Sequence, residues 1–394
     1  MLFESANQTH PLLKAARIEA NASQTDVEVA QRQRLPTLSA VVESDSGNAY
    51  SQASHSLRVQ QTLWDAGLNA SKVSEAENLA LIGKLKIELQ QKQLFLQICN
   101  AWQSMVTAHQ RVQIAHKAIE RLDGLKQQMQ RRVDALASAP IDLILANSRQ
   151  LQTQVELDNA QRNLKVAVRK LELLSGMEHL QHQVQTLEPL SNHTTAAPFL
   201  MQLDKTDWTE VSVRWPAVQI ARYEVVSAKN RLRSKEAERW PQVYVRVEKP
   251  IGTYTFNANN STTIFAGLSY TPGAGFANLV EAQALGQRIA KSDMSVDAAI
   301  KDIQDAVLVD REEFSNAYAQ ISALQQSVND SDAVLSSFER QFQASRKTWV
   351  DLLNQVRELA QNEYALADAQ STLMGAQLRL QLYVNQDIYQ ASRP

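Results

Sequence analysis

Ser54-His55-Ser56-Leu57-Arg58-Val59-Gln60-Gln61-Thr62-Leu63-Trp64-Asp65-Ala66-Gly67 is the stretch that decides the fold. Leu57, Val59 and Leu63 alternate with Arg58, Gln60 and Thr62, the period of a strand with one apolar and one polar face. Asp65-Ala66-Gly67 ends the alternation, and no proline follows from Leu68 to about Ala137. A helix of roughly 70 residues is about 100 Å long at 1.5 Å per residue, too long for a compact globular domain. Upstream, a helix from Leu12 to Arg34 is stopped by Leu35-Pro36. A short strand, Leu38 to Glu43, and a polar Ser44-Asp45-Ser46-Gly47-Asn48 loop lead back to the quoted stretch.

The same sentence is written a second time. His10-Pro11 and Leu35-Pro36 correspond to Trp215-Pro216 and Trp240-Pro241, at a constant offset of 205. Val243, Val245 and Val247 alternate with Tyr244, Arg246 and Glu248; Ile264, Ala266, Leu268 and Tyr270 alternate with Phe265, Gly267 and Ser269. Trp64-Asp65-Ala66-Gly67 corresponds to Pro272-Gly273-Ala274-Gly275, and a second proline-free run goes from Ala277 to about Lys347. The long helices break at Ala139-Pro140 and around Lys347-Thr348-Trp349. Shorter helices return, with Ile141-Asp142-Leu143-Ile144 answered by Val350-Asp351-Leu352-Leu353 at an offset of 209. Leu164 with Leu373 and Leu171 with Leu380 keep that register. The period is too long for a solenoid unit and marks a duplicated half-domain.

These patterns place repeat 1 at 1–175, with strands at about 36–64 and helices at about 12–34 and 67–174. An irregular segment, a linker or a small side domain packed on the helices, covers 176–214. Repeat 2 covers 215–385, with strands at about 241–271 and helices at about 216–239 and 276–384, and a tail covers 386–394. The long helices carry narrow seams of mostly small apolar residues, suited to coiled-coil packing: Ala101, Met105, Ala108, Val112, Ala115, Ile119 and Leu122, then Ala306, Val309, Phe314, Ala317, Ile321, Leu324 and Val328.

Composition narrows the function. A net charge of −2, with no basic stripe or tail, gives no reason to expect nucleic acid. The single cysteine, Cys99, sits in a helical run and reads as a buried hydrophobe. It excludes an intrachain disulfide framework or a cysteine zinc site. His179, His182 and His193 invite a metal reading, and His179 and His182 have helical spacing, but no Cys or clear third ligand is nearby, so no metal is expected. No Ser–His–Asp order, phosphate loop or carboxylate pair stands out, which argues against an enzyme and against a cofactor. No apolar run reaches the length of a transmembrane helix. Met1-Leu2-Phe3-Glu4-Ser5 leads directly into helix without a signal peptide. A start codon added to a mature form would look the same, so a cytoplasmic address does not follow.

Four strands cannot close a barrel, which takes about eight. Strands of roughly 9–11 residues with one apolar face have the length and pattern of tilted membrane strands. Open edges are forbidden in lipid, so other copies of the chain must close the sheet. Trp64, Trp240 and Tyr270 fall at the helix-side ends of strands, where an interfacial aromatic girdle belongs; packing at the strand-to-helix junction is the alternative. A soluble coiled-coil scaffold would leave the four alternating strands unexplained.

Taken together, Val59-Gln60-Gln61-Thr62-Leu63-Trp64-Asp65-Ala66-Gly67, Lys347-Thr348-Trp349-Val350-Asp351-Leu352-Leu353-Asn354 and the duplicated arrangement resemble TolC-type outer-membrane channel proteins over about His10 to Val384. The resemblance implies mainly α structure with membrane β. It implies a homotrimer whose strands form a twelve-stranded barrel, continued by a twelve-helix periplasmic α-barrel. It implies the outer membrane of a Gram-negative bacterium, contact with its lipid, a periplasmic adaptor protein and an inner-membrane transporter. Trp349 to Glu358 resembles the adhesin-secretion branch, which implies type I secretion of an unfolded polypeptide through an ABC transporter. Efflux of small molecules is the alternative cargo. By the same resemblance the helix turns ring a periplasmic aperture. Asp351 matches an acidic position there, Asp142 is its equivalent in the first copy, and Asn354 departs from a second acidic position. Lys347 matches a basic position that ties helices in the closed state, and Phe342 an aromatic one. Helix capping is the simpler reading of Asp142 and Asp351, since each falls in a first turn.

Overall fold

The computed structural model describes residues 2–44, 53–180, 196–251, 261–271 and 277–384. Residues 45–52, 252–260 and Pro272 to Gly275, with His182, His193 and 386–394, lie outside the described residues. In chain order the elements are α1 (Leu2–Thr9), α2 (Pro11–Arg32), β1 (Thr37–Ser44), β2 (Ala53–Trp64), α3 (Leu68–Asp134) and α4 (Pro140–Ser175). There follow α5 (Ala196–Lys205), α6 (Trp208–Arg214), α7 (Pro216–Ala237), β3 (Gln242–Pro250), β4 (Thr263–Ser269), α8 (Ala277–Gln343) and α9 (Trp349–Val384). The duplication is therefore structural: helix, hairpin, 67-residue helix and 36-residue helix occur twice.

Two compact units share the chain. One comprises Lys14–Gln90 and Ser212–Asp302. It holds a four-stranded antiparallel sheet in the order β1-β2-β3-β4. The register sets Leu38 opposite Val59, Val59 opposite Val247 and Val247 opposite Ile264, so one face is an apolar row across all four strands. That face is uncovered: Leu38, Val42, Leu57, Val59, Leu63, Ile264 and Leu268 are all exposed. A large apolar surface left open in this way marks a face built for lipid or for a partner. The other face carries charge. Arg58 lies opposite Glu248 and pairs with it at 3.1 Å and with Glu43 at 3.5 Å. Arg246 reaches Glu248 at 3.6 Å and lies 4.8 Å from the Phe265 ring centroid. In this unit α2 and α3 join through Val27, Ala30, Val73, Ala76 and Ala80.

At the end of β2 the backbone turns on Ala66 and Gly67, both at positive φ (53° and 86°). Asp65 caps the turn: its carboxylate accepts from the N–H groups of Gly67 (3.0 Å) and Asn69 (2.9 Å). A carboxylate at this place satisfies N–H groups that α3 leaves open at its start.

The second unit comprises Met1–Leu13, Gln91–Val211 and Ile303–Pro394. Here α3 packs on α4 through Leu94, Ile98, Ala101, Met105, Val168 and Leu171. Likewise α8 packs on α9 through Phe314, Ala317, Ile321, Leu373 and Leu380. Three expectations need adjusting. The segment from Gly176 to Arg214 is not irregular throughout, because 196–214 forms α5 and α6, with Pro198 tolerated in a first turn. The long helices end at Asp134 and Gln343, a few residues before the expected points. Finally, the seam of α8 does not use Val309, which is half exposed; Val307 and Asp310 are buried instead. Asp310 tolerates that place because Arg379 pairs with it at 2.5 Å.

Candidate functional site: the paired helix breaks

Both long helices stop in the same way. Leu136 and Ser345, at an offset of 209, adopt the left-handed conformation (φ 60° and 57°). Beyond each, an N–H reaches back to close the turn: Ala137 to the Arg132 carbonyl and Arg346 to the Gln341 carbonyl, both 2.8 Å. This is the Schellman arrangement that satisfies terminal carbonyls, built here on residues other than glycine.

The returning helices start differently. α4 begins on Pro140 at its first position after an extended Ala139, with no side-chain cap. Asp142 follows in its first turn and is partly exposed. α9 begins with a reciprocal cap. The Asp351 N–H donates to the Thr348 hydroxyl (3.2 Å) and the Thr348 N–H to the Asp351 carboxylate (3.4 Å). Lys347 stands 3.8 Å from the same carboxylate and 4.1 Å from the Phe338 ring centroid. Thr348's hydroxyl and N–H, with Lys347 adding its charge, hold the Asp351 carboxyl below its ordinary range.

Phe342 and Trp349 are buried at the second break, ring centroids 5.4 Å apart. The Arg132 guanidinium lies 4.7 Å from the Phe342 centroid. The Trp349 indole N–H donates to the main-chain carbonyl of Asp142 at 2.9 Å, so the two breaks meet through that bond. Asn354 accepts from Arg149 of α4 at 3.5 Å. Leu122, Leu125, Met129 and Ala146 from the first repeat share one core with Phe342, Trp349, Leu352, Leu353, Val356 and Leu359 from the second. The structure thus brings together Asp142, Asp351, Asn354, Lys347 and Phe342. It adds Trp349 and Arg132, whose contacts depend on cross-repeat packing that no single stretch of sequence displays.

The remaining expected residues lie in the other unit. Trp64 stands opposite Val243 and Val243 opposite Leu268, which puts Trp64 on the row nearest Trp240 and Tyr270. A register shift between Thr62 and Trp64 inserts Leu63. All three aromatics are exposed. Among the described residues no three His, Cys, Asp or Glu side chains are placed to hold a metal. No described helix is long and apolar enough to cross a membrane.

Comparison with known proteins agrees with this architecture. Residues 2–177 match the family model described as outer membrane efflux protein. A membrane protein from Pseudomonas aeruginosa superposes with a TM-score of 0.83 at 16% identity, over 97% of this chain and 89% of that one. The outer membrane protein VceC from Vibrio cholerae gives 0.82 at 15%, over 97% and 95%. The open-state outer membrane channel MtrE of Neisseria gonorrhoeae gives 0.71 at 14%, over 97% and 88%. No curated protein sequence matches the chain. The fold is that of the outer-membrane channels. The first repeat carries the pattern of the outer membrane efflux protein family, and the resemblance to TolC-type channels holds. The matched family and structures are channel and membrane proteins, not enzymes.

Proposed function

We propose that the chain is one of three identical subunits of a passive exit duct in the outer membrane of a Gram-negative bacterium. The single observation that carries this reading is the sheet. Its apolar face is uncovered, its opposite face is charged, and β1 and β4 each leave one edge unpaired. Such a sheet is stable in lipid only when closed by copies of itself, with the apolar face outward and the charged face on water. Three copies give the twelve strands of a closed barrel, with Trp64, Trp240 and Tyr270 as its periplasmic girdle. The helices of the two repeats continue it as a twelve-helix tunnel, with Asp142, Asp351, Asn354, Lys347 and Phe342 at the aperture. The domain boundaries at 175, 214 and 385 follow the repeat.

The partners of this reading are a periplasmic adaptor and an energised inner-membrane transporter, since the duct itself does no chemistry. The family description favours efflux of small molecules as the cargo. Secretion of an unfolded polypeptide through an ABC transporter is the second reading, supported by the likeness of Trp349 to Glu358 to the adhesin-secretion branch. Deleting the gene separates them: efflux predicts sensitivity to toxic compounds, and secretion predicts a protein retained in the cell. The duct itself is tested by mass in detergent, where a trimer is expected and a detergent-free monomer overturns the proposal.

A further inference from the structure

Between α4 and α9, over α3, lies a groove of about 390 Å³ that helix packing leaves unfilled. Alanines make the space: Ala118 of α3, Ala160 of α4 and Ala360 of α9 line it, all buried, where larger side chains would close the seam. A gap of this size is no ordinary packing defect. It falls within the ~300–1,000 Å³ of small-molecule pockets. Leu122, Leu353 and Val356 complete an apolar floor, and the rim is polar.

The charges on that rim are sorted by position. Arg149 and Arg357 stand at the end nearer the starts of α4 and α9. Arg149 donates to neutral side-chain carbonyls, those of Gln152 at 3.1 Å and Asn354 at 3.5 Å. Among the described residues no carboxylate pairs with Arg149 or Arg357. Arg111, at the other end, is already neutralised by Asp368 at 2.5 Å and lies 5.5 Å from the Tyr364 ring centroid. Glu156 and Tyr364 belong to this far end. Each stands two turns along its helix from Arg149 or Arg357, about 10 Å at 1.5 Å per residue. Burial pushes the Tyr364 hydroxyl up to about 12, with Glu156 adding to the shift, so it stays protonated at neutral pH. The groove is therefore cationic at one end, apolar along its floor, and supplied with a hydroxyl and a carboxylate at the other.

We propose that this groove binds an elongated amphipathic organic anion. Its carboxylate or sulfonate is held by Arg149 and Arg357, its flat apolar body lies on Ala118, Val356 and Ala360, and a hydroxyl at its far end donates to Glu156. Guanidiniums without a carboxylate of their own match a planar acid, which accepts two parallel donors. The site lies within one chain, so the inference goes beyond the duct reading and does not rest on it.

The probe is 6-hydroxy-2-naphthoate, titrated by its fluorescence against the full chain in neutral detergent. The uncharged 6-hydroxy-2-naphthamide controls for partition into micelles. The acid should bind saturably, once per chain, and the amide roughly tenfold more weakly or worse. Arg149→Gln and Arg357→Gln should each weaken the acid by about tenfold or more, the effect of one charge-assisted hydrogen bond, and Arg357→Lys by less. Glu156→Ala should erase the advantage of the hydroxylated acid over 2-naphthoate. Thr153→Trp fills the groove from a partly exposed rim position and should abolish binding, with an unchanged thermal melt as its folding control. Arg162→Gln removes an exposed α4 arginine outside the groove and should leave the affinity as it was. No saturable binding to the folded chain overturns the proposal, as does an amide that binds as tightly as the acid. Binding that survives Thr153→Trp, or that falls as far in Arg162→Gln as in Arg357→Gln, overturns it too.

Discussion

At the scale of single residues, the informative side chain is Arg379. It and Asp310 are both 8% exposed, and Asp310 takes the buried seam place that Val309 was expected to fill. Losing one member of a buried pair leaves a charge without a counterion, at a cost of about 3–5 kcal/mol. Arg379→Met should therefore lower the thermal midpoint clearly, read from helix circular dichroism in detergent. Replacing both residues, Arg379→Met with Asp310→Leu, should restore much of the loss; a double variant no better than the single one refutes the pair's role. Most of the seam was legible: Ala101, Met105, Ala108, Ala115 and Leu122 are buried as their spacing implies. Asp310 was not, because a carboxylate takes a core position only when its counterion is supplied from another helix, which α8 alone cannot reveal. Cys99 behaves as its sequence context implies. Burial pushes its thiol up to about 12, with Arg379 opposing, so at neutral pH it should resist maleimide until the protein unfolds. Rapid labelling of the folded protein would contradict its burial.

At the scale of elements, the two breaks show how a duplicated design diverges. Proline marks the first return helix, and Thr348 with Asp351 marks the second, so the starts were readable to within a few residues. The stops were not, because Leu136 and Ser345 carry no glycine signal although both adopt positive φ. The left-handed region costs a leucine more than a glycine, even after glycine's larger loss of chain entropy. Leu136→Gly should accordingly stabilise the protein by about 0.5–1 kcal/mol. Destabilisation on thermal melting would mean that the exposed Leu136 side chain is covered in the assembled duct. The α9 cap gives a pH prediction. Asp351's folded pKa lies below its ordinary 3.8, so its contribution is complete above that value and is lost as pH falls through the lower folded one. Amide exchange at the start of α9 should quicken in that acid range in the wild type. Asp351→Asn should lose that acid-dependent step; a variant that keeps it would assign the step to another group.

At the scale of the whole molecule, the charge at the breaks acquires meaning only through copy number. Sequence spacing showed that Asp142 and Asp351 are equivalents, and the structure joins their helices through Trp349. The same geometry shows that Asp351 caps its helix, and a capping carboxylate is compatible with the proposed aperture role. In the proposed trimer, Asp142 and Asp351 contribute six carboxylates at one narrow mouth, where low-dielectric walls focus their field. Lys347 offsets one carboxylate per chain at 3.8 Å, an exposed pair worth only about 0–1 kcal/mol by itself. Asp142→Ala with Asp351→Ala should therefore reduce cation selectivity and relieve block by multivalent cations in planar bilayers, while Lys347→Glu should raise resting conductance. Thr348→Ala separates the two roles, because it removes the cap, at about 1 kcal/mol, and leaves every charge in place. If Thr348→Ala reproduces the loss of selectivity, the carboxylates act only as helix caps; if selectivity survives it and falls in the double alanine variant, they line the aperture.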